Sequence, residues 1–253
     1  MREDKNQYFF SDFTEENYRR ILELAVCNGY KFITYGEAHK SKGKNIILRH
    51  DIDFSPQRAL ALAKVEQKVG IKTTYYVYVG SLFYNVFESD IKTAIFRILQ
   101  LGHPIGLHFD PQTYCIRSED ELLHWLMFEK KILVKLFNCK VRSFSFHNPS
   151  SRFVKQYDKA KYAGMFNSYG EIFQKKFEYC SDSNGYWRYD RLQSIIISDK
   201  YKNLHVLIHP GWWQDKVSTP WERVQRCLEG RKQSVSNAYC NILRKSKRKN
   251  VGR

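Results

Sequence analysis

No two cysteines of this chain stand as Cys-x-x-Cys, although it has six, Cys27, Cys115, Cys139, Cys180, Cys227 and Cys240. Their scatter excludes thioredoxin-like redox motifs and zinc ribbons, and they are expected to be reduced and mostly core-filling. No apolar run approaches the roughly 18 to 20 residues that span a bilayer. The opening Met-Arg-Glu-Asp-Lys-Asn-Gln alternates charges and leads into no apolar stretch of the signal-peptide kind, which makes the cytoplasm the expected compartment. Neither Gly-x-Gly-x-x-Gly nor Gly-x-x-x-x-Gly-Lys-Ser/Thr occurs, so nucleotide-binding open sheets lose their usual support. Internal repeats and linkers are missing too. Negative charge is scarce, with 26 Asp and Glu against 42 Lys and Arg, a net +16. Residues 244–253 hold six of those cations and read as a basic tail. The rest, at roughly +10, is still basic enough to suit a polyanionic or phosphate-bearing partner.

What is present is a globular composition, 253 residues with 43% hydrophobic and 15% aromatic content. Thr14 is placed to cap a helix carrying Tyr18, Ile21, Leu22 and Ala25, which Gly29 stops. A short strand, Tyr30 to Tyr35, follows. Asn45-Ile46-Ile47-Leu48 is a short buried strand ending in Arg49-His50-Asp51-Ile52-Asp53. Ser55-Pro56 caps a helix with Ala59, Leu62, Ala63 and Val69, closed at Gly70. A strand over Ile71 to Val79, a helix over Ile91 to Gln100 and a strand over His103 to His108 come next. Ser118-Glu119-Asp120-Glu121 reads as a capping box for a helix with Leu122, Trp125, Leu126, Ile132, Leu133 and Leu136. Strands are expected at Val141 to His147, Leu192 to Ser198 and Leu204 to His209, and Thr219-Pro220-Trp221-Glu222 opens the last helix. Between Asn148 and Tyr189 the pattern does not resolve into elements.

Strands separated by helical stretches mean βαβ units and a largely parallel sheet. Six or seven such strands in one α/β domain favour a closed or nearly closed (β/α) barrel, with 1–44 as an N-terminal helical extension. Asp51 and Asp53, His108, His147 and His209 then fall at the ends of four different strands, and in such a barrel those carboxyl ends form the functional face. An Asp-x-Asp pair on extended backbone turns both carboxylates to one side, so one can bind metal and the other act as a base. Capping the helix at Ser55 is the plainer use of the same pair. His103, before a proline, is expected to hold backbone groups. His39, His124 and His205 are assigned no chemistry.

The segments RHDIDFSPQRALALA, GIKTTYYVY, GHPIGLHFD, FSFHNPS, SDSNGYWR and IHPGWW, over about residues 45–215, resemble the polysaccharide deacetylase family, carbohydrate esterase family four, in order and approximate spacing. The likeness is nearest to a divergent branch with an RHD-x-D strand, associated with surface-polysaccharide biosynthesis. It implies a distorted (β/α) barrel of about seven mostly parallel strands. By position it implies Asp51 as catalytic base, Asp53 and His108 as metal ligands and His209 as catalytic acid. Where the family has a second metal histidine, this chain has Gln112. His147, in the place of the arginine that orients the base, is a candidate to replace either the lost ligand or that arginine, and Asp110 is a weaker candidate ligand. Asp182 and Arg188 fall near the motif that supports the site, and Arg188 is a candidate to hold Asp51. The resemblance thus implies one divalent ion, Zn by donor type with Co, Ni or Fe as alternatives, and hydrolysis of an N-acetyl or similar acyl group. The substrate would be an N-acetylated sugar or a nucleotide- or lipid-linked glycan precursor. Tyr186, Trp187, Trp212 and Trp213 could stack on sugar or pack in the core. A catalytically inactive glycan- or partner-binding barrel is the alternative, and a nucleic-acid partner, which would require a steep salt dependence, ranks behind both.

Overall fold

A computed structural model describes residues 8–38, 40 and 42–252; the charged stretch 1–7 and His39 lie outside them. The fold is a mixed α/β, distorted (β/α) barrel. Its strands are β1 (Tyr30–Phe32), β2 (Lys44–Ile52), β3 (Thr74–Tyr78), β4 (Ile105–Phe109), β5 (Ser143–Phe146), β6 (Lys161–Tyr162), β7 (Met165–Asn167), β8 (Glu178–Ser181) and β9 (Asn203–Ile208). The helices are α1 (Glu15–Cys27), α2 (Pro56–Val69), α3 (Ser89–Gln100), α4 (Glu119–Phe137), α5 (Ser151–Gln156), α6 (Glu171–Lys176), α7 (Leu192–Ser198) and α8 (Pro220–Lys245). The sheet runs β6-β7-β5-β4-β3-β2-β9-β8, with β1 added to β2, and every pairing is parallel except the β6–β7 hairpin. It curls but does not close, since β6 and β8 remain its two ends.

The sheet is buried on both faces. On β2, Ile46 and Leu48 pack outward against Tyr18, Ile21 and Leu22 of α1, while Ile47 points inward to Tyr35, Tyr76, Phe173 and Phe177. Gly106 of β4 is what leaves room for the Tyr76 ring, because a Cβ there would lie 2.5 Å from Tyr76 Cε1. Thr14, Ser55 and Ser118 accept hydrogen bonds from first-turn N–H groups as expected, and Gly70 ends α2 in the left-handed region. The capping box at Ser118 is only half formed, because the Glu121 carboxylate accepts from Arg117 N instead. The complete box is at Thr219–Glu222, which starts α8.

Two expectations fail here. Leu192–Ser198 is α7, not a strand: Leu192, Ile195 and Ile196 are its buried residues, at helical spacing. Nor are the cysteines mostly core, for only Cys180 is buried and Cys27 and Cys115 are exposed. The region between Asn148 and Tyr189 contains three further short strands, β6, β7 and β8, each too short to show a period.

Candidate active site

Parallel pairing puts the carboxyl ends of β2, β4, β5, β8 and β9 at one end of the barrel. Asp51 and Asp53 lie at the end of β2, His108 is on β4, and His147, Asp182 and His209 directly follow β5, β8 and β9. A cleft of about 480 Å³ opens there, lined by Asp51, Asp53, His108, His147 and His209 together. All five residues singled out at strand ends therefore meet in one cavity.

Asp53, His108 and His147 each offer a ligand atom, and these atoms lie within 4.8 Å of one another. Asp53 Oδ1 is buried and among the described residues lacks a hydrogen-bond donor, although His108 Nε2 is 3.1 Å away. The other ring nitrogen explains this. Ser145 Oγ lies 2.7 Å from His108 Nδ1 and donates to Asp51 Oδ1 at 3.2 Å. A carboxylate can only accept, so both contacts are satisfied when the hydroxyl donates to Asp51 and accepts from a protonated Nδ1. In neutral His108 the Nε2 lone pair then faces the Asp53 lone pair. Two acceptors turned on each other with an imidazole beside them form a donor set that fits a divalent cation of the zinc type. Burial alone would raise the Asp53 pKa, but His108, His209 and His147, when their rings carry protons, outweigh it and hold it at about 2.

His147 is backed by Asp110, whose Oδ2 lies 3.4 Å from Nδ1 and accepts from Tyr78 Oη at 2.8 Å. A carboxylate behind a histidine is how ligating imidazoles are usually oriented. Asp110 itself stands outside the group of three. Gln112, at the family's second histidine position, is exposed, and its side chain reaches Asn148 O at 3.4 Å.

Asp51 is buried beside Arg49, with Nη2 3.4 Å from Oδ2. Arg49 is also held by Ser168 Oγ and, at 3.1 Å, by Tyr169 Oη. Asp51 is therefore paired by an arginine two residues earlier on its own strand, not by Arg188. Arg188 is exposed on the cleft wall over the Tyr189 ring. His209 is oriented by Asp182, which accepts from its backbone N–H, lies 2.7 Å from Nδ1 and also accepts from Trp213 Nε1 at 2.8 Å. Burial would lower the His209 pKa, but the Asp182 carboxylate, with Asp53 and Asp51 beyond it, raises it to about 9.

Arg49 and Ser145 were not identified from the sequence. Counting by two back from Asp51 would have put Arg49 on the same face, whereas Ser145 becomes visible only through the β4–β5 register that opposes it to His108. The tryptophans move the other way: Trp187 and Trp213 are buried against Phe13, and none of Tyr186, Trp187, Trp212 and Trp213 lines the cleft. Its aromatic lining is Phe146, Tyr169, Tyr179 and Tyr189. His103 serves the backbone, meeting Ala63 O at 3.1 Å and Thr73 N at 3.3 Å.

Compared with known proteins, the chain matches no family model and no curated protein. Similar solved structures include a family-four carbohydrate esterase domain of a multidomain xylanase from the hindgut metagenome of Trinervitermes trinervoides, at 11% identity and a TM-score of 0.44, covering 81% of this chain and 92% of that one. A family 4 carbohydrate esterase from Bacillus anthracis gives 14%, 0.43, 84% and 85%. A family-four pseudoenzyme, also from Bacillus anthracis, gives 14% and 0.37, with 76% of this chain covered; the chain spans about three fifths, 61%, of that structure's length.

Proposed function

We propose that the protein is a metal-dependent hydrolase that removes an N-acetyl or similar acyl group from a sugar or glycan precursor. The observation that carries this reading is one cleft holding an Asp-His-His donor set together with a paired carboxylate and a carboxylate-backed imidazole. Asp53, His108 and His147 would hold the ion, Zn by donor type with Co, Ni or Fe as alternatives. When bound, it supplies Lewis acidity toward the acyl carbonyl and toward water. Asp51 takes the proton of the attacking water as general base, with its carboxylate kept in place by Arg49 and Ser145. His209, charged at neutral pH, gives its proton to the leaving amine and is recharged on turnover. Asp182 stabilises that imidazolium and fixes the ring.

Tyr169, Tyr179 and Tyr189 offer flat apolar faces to a sugar, and Lys155 and Arg188 on the same cleft suit a phosphate-bearing, nucleotide- or lipid-linked precursor of a surface polysaccharide. We place that reaction in the cytoplasm, where such precursors are assembled. The test is amine release from N-acetylated sugar nucleotides by metal-loaded and chelated protein. Metal-dependent release supports the reading. Stoichiometric metal without release from any such donor would favour an inert binding barrel, the reading that Gln112 in place of a ligand histidine supports.

A further inference from the structure

We propose that the outer face of α8, together with the basic segment after it, is a docking surface for an anionic lipid membrane. Among the described residues, helix α8 is fastened to the barrel only through its first half, up to Arg231. Arg223 is fully buried and donates to Gly185 O and Phe10 O, Cys227 Sγ meets Phe54 O, and Arg231 pairs with Glu88. Beyond Arg231 nearly every residue is exposed. Residues 232–245 continue as helix for about 21 Å, and among the described residues Val235, Tyr239 and Ile242 on it stay exposed.

Those side chains are ordered. Trp221, Leu228, Val235, Tyr239 and Ile242 are 44% to 70% exposed. Their spacing of seven, seven, four and three residues puts them within about 60° of one another at 100° per residue, a stripe about 31 Å long. Arg244, Lys245, Lys247, Arg248 and Lys249 follow at its end, and among the described residues none has a carboxylate within ion-pair distance. A narrow apolar stripe with an aromatic residue at one end and a cluster of cations at the other has the makeup of a helix lying in a lipid headgroup layer.

A second copy of this chain fits the stripe less well. With Leu228, Val235 and Ile242 at one coiled-coil seam position, the complementary position is occupied by Arg231, Ala238 and Lys245 in one register and by Lys232, Tyr239 and Ser246 in the other, so the seam is interrupted by charge in both. A parallel pair would also bring two groups of five cations together. A nucleic acid would engage the cations but leave Trp221, Val235 and Ile242 in water.

The test is co-sedimentation of the full chain with phosphatidylcholine vesicles, with and without phosphatidylglycerol. The protein should bind the anionic vesicles at least about 10-fold more strongly, and added salt should weaken that binding. Val235→Asp with Ile242→Asp replaces side chains that are already exposed, so the fold should be kept, as its melting curve will show, and binding should fall at least about 10-fold. Replacing the five cations by Gln should independently reduce it about 100-fold or more. Trp221 emission should shift to the blue on binding, a shift absent in Trp221→Phe. Equal affinity for both vesicle types, or undiminished binding by the double Asp variant, overturns the proposal. So does a dimer that the double Asp variant dissolves in a protein that binds no vesicles.

Discussion

The proposed function gives metal binding to Asp53, His108 and His147 and proton transfer to Asp51, and substitutions should separate the two. Asp53→Ala, His108→Ala and His147→Ala should each lower metal affinity by orders of magnitude, because each removes a member of the only set of three donors found among the described residues. Elemental analysis after dialysis measures this, and unchanged stoichiometry in all three would remove the metal centre. Asp51→Asn keeps the shape and the Ser145 contact but cannot accept a proton. It should retain the metal and lose about 10² to 10⁴ in turnover. If metal and activity vanish together, Asp51 is a ligand. At this scale the sequence was informative about charge and position, since the five site residues fall at strand ends. It was silent on partners such as Arg188 against Arg49, because the choice depends on which guanidinium the fold brings 3.4 Å from the carboxylate.

Helix α4 carries a carboxylate where its periodicity calls for an apolar residue. Glu129 sits between Leu126 and Leu133 on the buried face, with Oε1 accepting from Tyr114 Oη at 2.6 Å and Oε2 without a partner. Burial, reinforced by Asp110, raises its pKa from 4.5 to about 7 against the lowering contributed by Tyr114. The native state therefore holds a proton that the unfolded chain has released between those two values, and stability falls as pH rises through that window. The loss is at most about 3 kcal/mol. Glu129→Gln should flatten this slope and raise the melting temperature above pH 7, which thermal melts from pH 5 to 8 on both proteins will measure. An identical slope in the variant would remove Glu129 as its source. Buried Glu66 on α2 behaves oppositely. Despite burial, His50, His103 and Thr73 lower its pKa, so its support is present above the usual carboxylate range and is lost as pH falls through its native value. Glu66→Ala should cost about 3 to 5 kcal/mol, read by denaturant unfolding, since it strands His50, Tyr18 and Tyr75 without their shared acceptor.

Over the whole molecule, no described helix is long and apolar enough to cross a membrane. The positive charge is unevenly spread, with a concentration past the end of α8. Deleting residues 244–253 should leave the melting temperature within about 2 °C, because an exposed polar segment has little to lose on unfolding. A much lower melting temperature would mean that this segment docks on the barrel.

The sequence by itself determined the alternation of strands and helices as far as β5, the caps at Thr14, Ser55 and Thr219, and the placing of chemistry at strand ends. Each of these is encoded within a few neighbouring residues, as a period, a cap or a punctuating glycine. Tertiary structure decided the rest. Whether Leu192–Ser198 became strand or helix depended on the apolar face offered by α1, and whether the sheet closed depended on its most distant edges, β6 and β8. The hydroxyl of Ser145 between Asp51 and His108 and the withdrawal of Trp187 and Trp213 into the core are both long-range packing outcomes. Their energies come from partners tens to hundreds of residues away, which no local pattern contains.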